Sequence, residues 1–352
     1  MNPGPLAESL PPLTAGDAWR IWQLAPAASA ILLLLAGGYL WGVHRVNRRR
    51  PAGRWPPSRA LAFLSGLGVI AVATQSSVGV YDDVLFSAHM VQHVLLIMVA
   101  PPLLVFGRPV TLLLHAARNP VHTWVKRAVR SRLAAALTWP PGAAVLYAAV
   151  VVGTHTPPVM DLVLGSGAAH DAEHVLYLAA GYLYFLLIIG SEPVRWRVSM
   201  AGRYLLLLIG MQVDTVVGVV LMVVGHEIYP AYARADPVWG PGLLTDLHGG
   251  GMVMWIGSDI VMTVLAVAVA AGFVHHPRHS GHVGGWLEGI RRAALRREIT
   301  AAGVLLPGGA SAACTVDDDA HLAAYNAYLS AIGDARPRVQ RATGGSPTGS
   351  NR

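Results

Sequence analysis

Two pairs of histidines stand four residues apart in this chain, His89 with His93 and His170 with His174. On a helix, residues at that spacing share one face about 6 Å apart along the axis, near enough for both imidazoles to hold one ion. The chain has 15 histidines but a single cysteine, Cys314. One cysteine excludes a disulfide framework, a thiolate zinc site and a cysteine-held iron–sulfur cluster. Chemistry here must rest on imidazole, thioether and carboxylate groups, whose natural ligands are copper, zinc or haem iron.

The elements that position these residues are membrane helices. Of the 352 residues, 54% are hydrophobic and 13% charged, about half the charged share of a soluble domain. Seven stretches are long enough to cross a hydrocarbon core of about 30 Å: Ala25–Val43, Ala60–Val80, Ala88–Gly107, Leu137–Pro157, Glu173–Ser191, Tyr204–Gly225 and Leu247–Val274. None contains Lys or Arg. The expected fold is an all-α polytopic bundle of seven transmembrane helices over residues 25–274. An extracytoplasmic segment, 1–24, precedes it, and a cytoplasmic tail, 275–352, follows, largely disordered with one short helix near Asp319–Ile332.

Basic residues in the short loops set the expected orientation. Six arginines lie between Arg45 and Arg59. The third loop holds Arg108, Arg118, Lys126, Arg127, Arg130 and Arg132, and the fifth Arg195, Arg197 and Arg203. The other side has only Arg20 and Arg234 against ten carboxylates. The N-terminus is therefore expected outside and the C-terminus cytoplasmic, with Val110–Leu133 along the inner interface. Topology accounts for the net charge of +7, so a nucleic-acid role is not expected. The positive cluster follows the first apolar run, which reads as an uncleaved span.

This topology places His89, His93, His155, His170, His174, His226 and His248 at the outer leaflet, drawn from five spans. A single interfacial histidine is ordinarily a hydrated helix-end residue, and His155 and His226 each stand alone at a helix exit. Seven on one leaflet point to a metal or cofactor site. The segment His275–His282 reads as solvated, with metal binding its alternative. Met252 is a weaker ligand candidate. Pro101 and Pro102 are expected to kink the third span beneath His93. Small residues continue the histidine faces through Ala100, Gly107 and Gly181, which marks helix–helix contact. Asp214 and Asp259 share the midplane with no cationic partner, which leaves two readings: a polar path inward, or a hydrogen-bonded glue between the sixth and seventh spans.

The motifs Ser87-Ala-His-Met-Val-Gln-His93, Ala100-Pro-Pro-Leu-Leu-Val-Phe-Gly-Arg-Pro109, His155 with Pro157, His170-x-x-Glu-His174, Ile228-Tyr-Pro-Ala-Tyr232 and Asp246-x-x-Gly-Gly-Gly-Met-Val-Met-Trp255, in this order, resemble the CtaG-type cytochrome c oxidase assembly factors of bacterial plasma membranes. The likeness covers roughly residues 60–272. It implies a multi-pass protein that matures a haem–copper oxidase of the respiratory chain, with oxidase subunits or other assembly factors as partners. Where relatives often carry Gln, this chain has His248.

The reading that joins residues and resemblance is a copper-binding assembly factor and not an enzyme. His89, His93, His170 and His174 hold the ion, His155 and His248 assist, and Glu173, Asp246 and Gln92 orient the imidazoles. Three rivals stay open. A membrane-embedded zinc hydrolase would use Glu173 as base, haem b would sit between the third and fifth spans, and a scaffold would bind no metal.

Overall fold

A computed structural model describes residues 10–274 apart from 15, 17, 50–52 and 236. The His275–His282 segment and the rest of the tail lie outside the described residues. The described residues are helical, joined by short loops, with one isolated antiparallel bridge between Trp22 and Ser76. A compact unit extends to Val269.

Among the described residues, fifteen α-helices follow in chain order: α1 Pro26–Arg49, α2 Pro57–Gln75, α3 Ser77–Tyr81, α4 Phe86–Val94, α5 Ala100–Phe106, α6 Pro109–Ala116, α7 Val121–Val129, α8 Arg132–Leu137, α9 Pro140–Thr154, α10 Pro157–Leu164, α11 Gly167–Ile189, α12 Met200–Val223, α13 Pro230–Ala235, α14 Leu243–Met252 and α15 Ser258–Val274. Among the described residues, six segments are long and apolar enough to cross a membrane: α1, α2, Phe86–Ala116, α11, α12 and Leu243–Ala271. A seventh is reached if α9 and α10, bent by 73° at a short break, count as one span.

Proline punctuates these helices. It opens α2, α6, α9 and α10, where its missing amide costs nothing and its φ is already helical. The break in the fourth span has the same origin. Pro157 holds Thr156 in an extended conformation, which ends α9 at Thr154 and leaves His155 in the corner.

Pro101 and Pro102 act differently, because they fall inside a span. Their absent amides are absorbed by a π-helical turn, Leu95–Val99, immediately below His93. There the Ala100 amide donates to Leu95 O, so the helix widens and continues instead of breaking. A second such turn, Val253–Gly257, joins α14 to α15.

Close helix contacts come from glycine. A Cβ on Gly181 of α11 would stand 2.2 Å from Ile97 O and 2.8 Å from Pro101 Cγ. Gly218 and Gly251 meet reciprocally, each Cβ position lying 2.7 Å from the other's carbonyl oxygen. Van der Waals packing of this kind replaces the hydrophobic drive that lipid does not supply.

The basic loops touch one another. Arg49 Nη1 donates to Ala116 O at 3.2 Å, Trp196 Nε1 to Ala135 O at 2.7 Å, and the amides of Val110 and Thr111 donate to Glu192. That carboxylate supplies the N-terminal cap that α6 lacks, since the preceding Arg108 is left-handed at φ 52°. Among the acidic loops, Tyr232 OH donates to Asp82 O at 2.8 Å, Tyr229 OH to His155 O at 2.7 Å, and the Ala231 amide to Asp161 Oδ1 at 3.2 Å.

Candidate metal centre

The centre forms where α4 lies against the first two turns of α11. Ser166 caps α11 by accepting from the Ala169 amide, so the helix starts before His170, six residues earlier than the apolar run begins. His89 and His93 on α4 have no exposed surface, and Glu173 on α11 is buried. Glu173 Oε2 lies 3.5 Å from His89 Nε2 and 3.4 Å from His93 Nε2. Neither nitrogen of either imidazole and neither Glu173 oxygen makes a hydrogen bond. Buried polar atoms are ordinarily paired, and leaving one unpaired costs roughly 1–3 kcal/mol. Of these six atoms, Nε2 of each ring and Glu173 Oε2 converge, which makes them candidate ligand atoms, one from each side chain.

The separations suit a metal. Ligand atoms around a tetrahedral ion at bond lengths of about 2.0–2.1 Å stand roughly 3.3–3.4 Å apart, which is the spacing between Glu173 Oε2 and the two histidines. His170 completes this inner group. Its ring stacks on His89 with centroids 5.2 Å apart and planes 10° apart, and His89, His170 and Glu173 each offer a ligand atom within 4.8 Å of the others.

A second group lies alongside. Asp82, His170 and His174 also bring ligand atoms within 4.8 Å of one another. Gln92 clamps them: its Nε2 donates to Asp82 Oδ2 at 2.5 Å and to Ala73 O at 3.0 Å, and its Oε1 lies 3.0 Å from His174 Nε2 and 3.4 Å from His170 Nε2. Burial pushes the Asp82 carboxyl up to about 7. Asp83, half exposed, reaches His170 Nδ1 at 3.5 Å.

His155 borders the inner group, its ring 5.5 Å from that of His93. One nitrogen lies 2.6 Å from Val151 O and the other 3.2 Å from Met90 Sδ. Tyr177, which no motif spacing singles out, stacks on His93 at 4.0 Å and bonds Thr154 through its hydroxyl at 2.6 Å. Asp82 likewise carries no periodic signal, because it sits in the α3–α4 loop.

Other residues expected at the site have different partners. His248 Nε2 lies 3.0 Å from Val224 O, and Met252 is exposed. Asp246 binds no imidazole. It accepts from the Phe86 amide at 2.6 Å and from Ser87 N and Oγ at 3.2 and 2.5 Å, capping α4, whose own Leu85 cannot. Its bearing on the centre is through the helix that carries His89 and His93. Asp246→Ala is expected to cost about 1–3 kcal/mol by stranding these donors, read as a lower melting temperature in detergent, with Asp246→Asn losing less.

The intramembrane carboxylates lie apart from the centre. Asp214 on α12 is fully buried and accepts from Tyr147 OH at 3.0 Å, a partner on α9. Its Oδ1, Ser258 Oγ and Asp259 Oδ1 make no hydrogen bond.

Apolar spans wrapped around a buried imidazole–carboxylate nest define a polytopic helical membrane protein with a candidate metal centre. The comparisons place it further: the profile of the cytochrome c oxidase caa3 assembly factor family matches residues 37–276, and the chain belongs to that family. It is similar to the uncharacterized protein Mb0105 of Mycobacterium bovis and the uncharacterized protein MT0111 of Mycobacterium tuberculosis. Each is 29% identical over 275 residues, covering 76% of this chain and 41% of the relative. The uncharacterized protein ML1998 of Mycobacterium leprae is 28% identical over 261 residues, or 72% and 39%. The chain thus spans about two-fifths of the length of these curated relatives. No solved structure matches it.

Proposed function

We propose that this chain serves the assembly of a haem–copper cytochrome c oxidase in a bacterial plasma membrane, and that it binds copper there as cargo. His89, His93, His170 and Glu173 are the ligands, with His155 and Met90 beside them. The observation that carries this reading is the convergence of His89 Nε2, His93 Nε2 and Glu173 Oε2, all buried and none hydrogen-bonded. Family membership supplies the oxidase. The centre faces outward, with the arginine-rich loops cytoplasmic, so copper is received and released on the extracytoplasmic side through oxidase subunits or other assembly factors.

Neutral imidazoles bind either copper oxidation state, and the nearby thioether of Met90 suits Cu(I). Glu173 works differently here from an outer partner that only orients imidazoles: its oxygen stands at ligand spacing from both rings. That same carboxylate favours a second reading, a zinc-dependent hydrolase, since three histidines and a carboxylate are also a zinc set.

Elemental analysis of the full chain purified from cells supplied with copper and zinc decides between them. About one copper per chain is expected, together with a copper-deficient oxidase in cells lacking the chain. Zinc at that ratio with no copper would transfer the argument to the hydrolase, and neither metal would remove the ligand assignment.

A further inference from the structure

Resting on the copper reading above, we infer that the centre has two successive ion positions, an outer one formed by Asp82, His170 and His174 and an inner one formed by His89, His170 and Glu173 with His93 beside them, so that His170 passes the ion between the two. Asp82, His170 and His174 have ligand atoms within 4.8 Å of one another, as do His89, His170 and Glu173, so His170 belongs to both groups, and His93 Nε2 stands 3.4 Å from the Glu173 carboxylate of the inner one. The two differ in access. His89 and His93 have no exposed surface, whereas His170 and His174 retain some and His170 also touches the half-exposed Asp83. An ion arriving from water therefore meets the outer group first.

The donors differ as well. Every ligand atom of the inner pair His89 and His93, and of Glu173, lacks a hydrogen bond. The outer group is bridged by the Gln92 amide, which contacts Asp82, His170 and His174 together. An ion in the outer position must displace those contacts, while one in the inner position gains ligands of which His89, His93 and Glu173 give up no hydrogen bond. The inner position is accordingly the tighter of the two. Transfer needs only ligand exchange at His170. The ion keeps its oxidation state, the imidazoles stay neutral, and no bond other than metal–ligand bonds forms or breaks.

The test times copper loading of the full chain in detergent, quenching with a chelator and measuring retained copper. Asp82→Asn with His174→Ala should still hold one copper per chain at equilibrium, but both loading and chelator stripping should slow at least tenfold, since the same gate serves both directions. His174→Gln alone, which keeps a polar side chain against Gln92, should slow loading less and guards against a folding defect, which a melting curve would also show. Loading at the parental rate in the double variant overturns the two-position path while leaving the copper site standing. Loss of all copper from a folded double variant also overturns it, because the two groups would then be one site. If the parent chain itself holds no copper, the reading on which this rests is what has failed.

Discussion

Replacing His93 with leucine and Glu173 with methionine abolishes tight copper binding and leaves the metal-free chain at least as stable as the parent. The affinity should fall more than about 100-fold, beyond the roughly 10–100-fold scale of losing a partner outside the ligand set. The stability half of this expectation is the more discriminating. Buried polar groups that serve the fold are hydrogen-bonded, and their removal destabilises. The nitrogens of His93 and the oxygens of Glu173 make no hydrogen bond, so apolar groups of similar volume relieve a desolvation cost and give up only the 3.4–3.5 Å approach of Glu173 to the two rings, a kind of buried pair whose apolar replacement is often neutral or stabilising. Copper content and melting temperature, measured on the same preparation, read both effects. Copper retained at one per chain would discard the ligand assignment. A fall in stability on the scale of about 2–5 kcal/mol, as in an ordinary core truncation, would show that the nest is a structural core.

A single methyl group on Gly181 should be more damaging to the fold than any other small substitution in α11. Its Cβ would lie 2.2 Å from Ile97 O and 2.8 Å from Pro101 Cγ. The first obstacle is backbone and the second a rigid ring, so neither can rotate aside. α11 must instead draw back from the π turn, at a cost of about 1–3 kcal/mol or more. That movement also carries His170, Glu173 and His174 away from α4. Gly181→Ala is therefore expected to lower the melting temperature and the copper content together. Gly153→Ala, where a Cβ meets nothing within 4 Å, should change neither. Unaltered melting in Gly181→Ala would mean that the contact is not held.

The helical architecture is legible in the sequence because lipid leaves so few alternatives: apolar runs of sufficient length must be helices. What hydropathy misses lies at the run ends, where caps and prolines decide. Ser166 starts α11 within polar sequence, and Pro157 breaks the fourth span by dictating the backbone of the residue before it. The spacing of His89, His93, His170 and His174 places them on two helix faces, and the structure brings those faces together around Glu173. Asp82 was not singled out, since a loop residue has no periodicity to betray its direction. His248 opens the seventh span beside the others in depth, yet depth does not fix azimuth, and its ring turns to Val224 O. Asp246 shows a further limit: nothing local to Phe86 announces that its amide is capped from a residue 160 positions away.

The widened turn at Leu95–Val99 makes the aim of this helix depend on the two prolines beneath it. Each residue of an α-helix contributes about 100° of rotation, and a π turn accommodates one surplus residue without interrupting the rod. Replacing Pro101 and Pro102 with residues that carry an amide would let the segment relax into a regular α-helix of unchanged length, still unbroken and still apolar. The upper half would then be swung by about a quarter turn against the lower, aiming His89 and His93 away from α11. Descendants of this sequence should therefore keep the turn and its two prolines together.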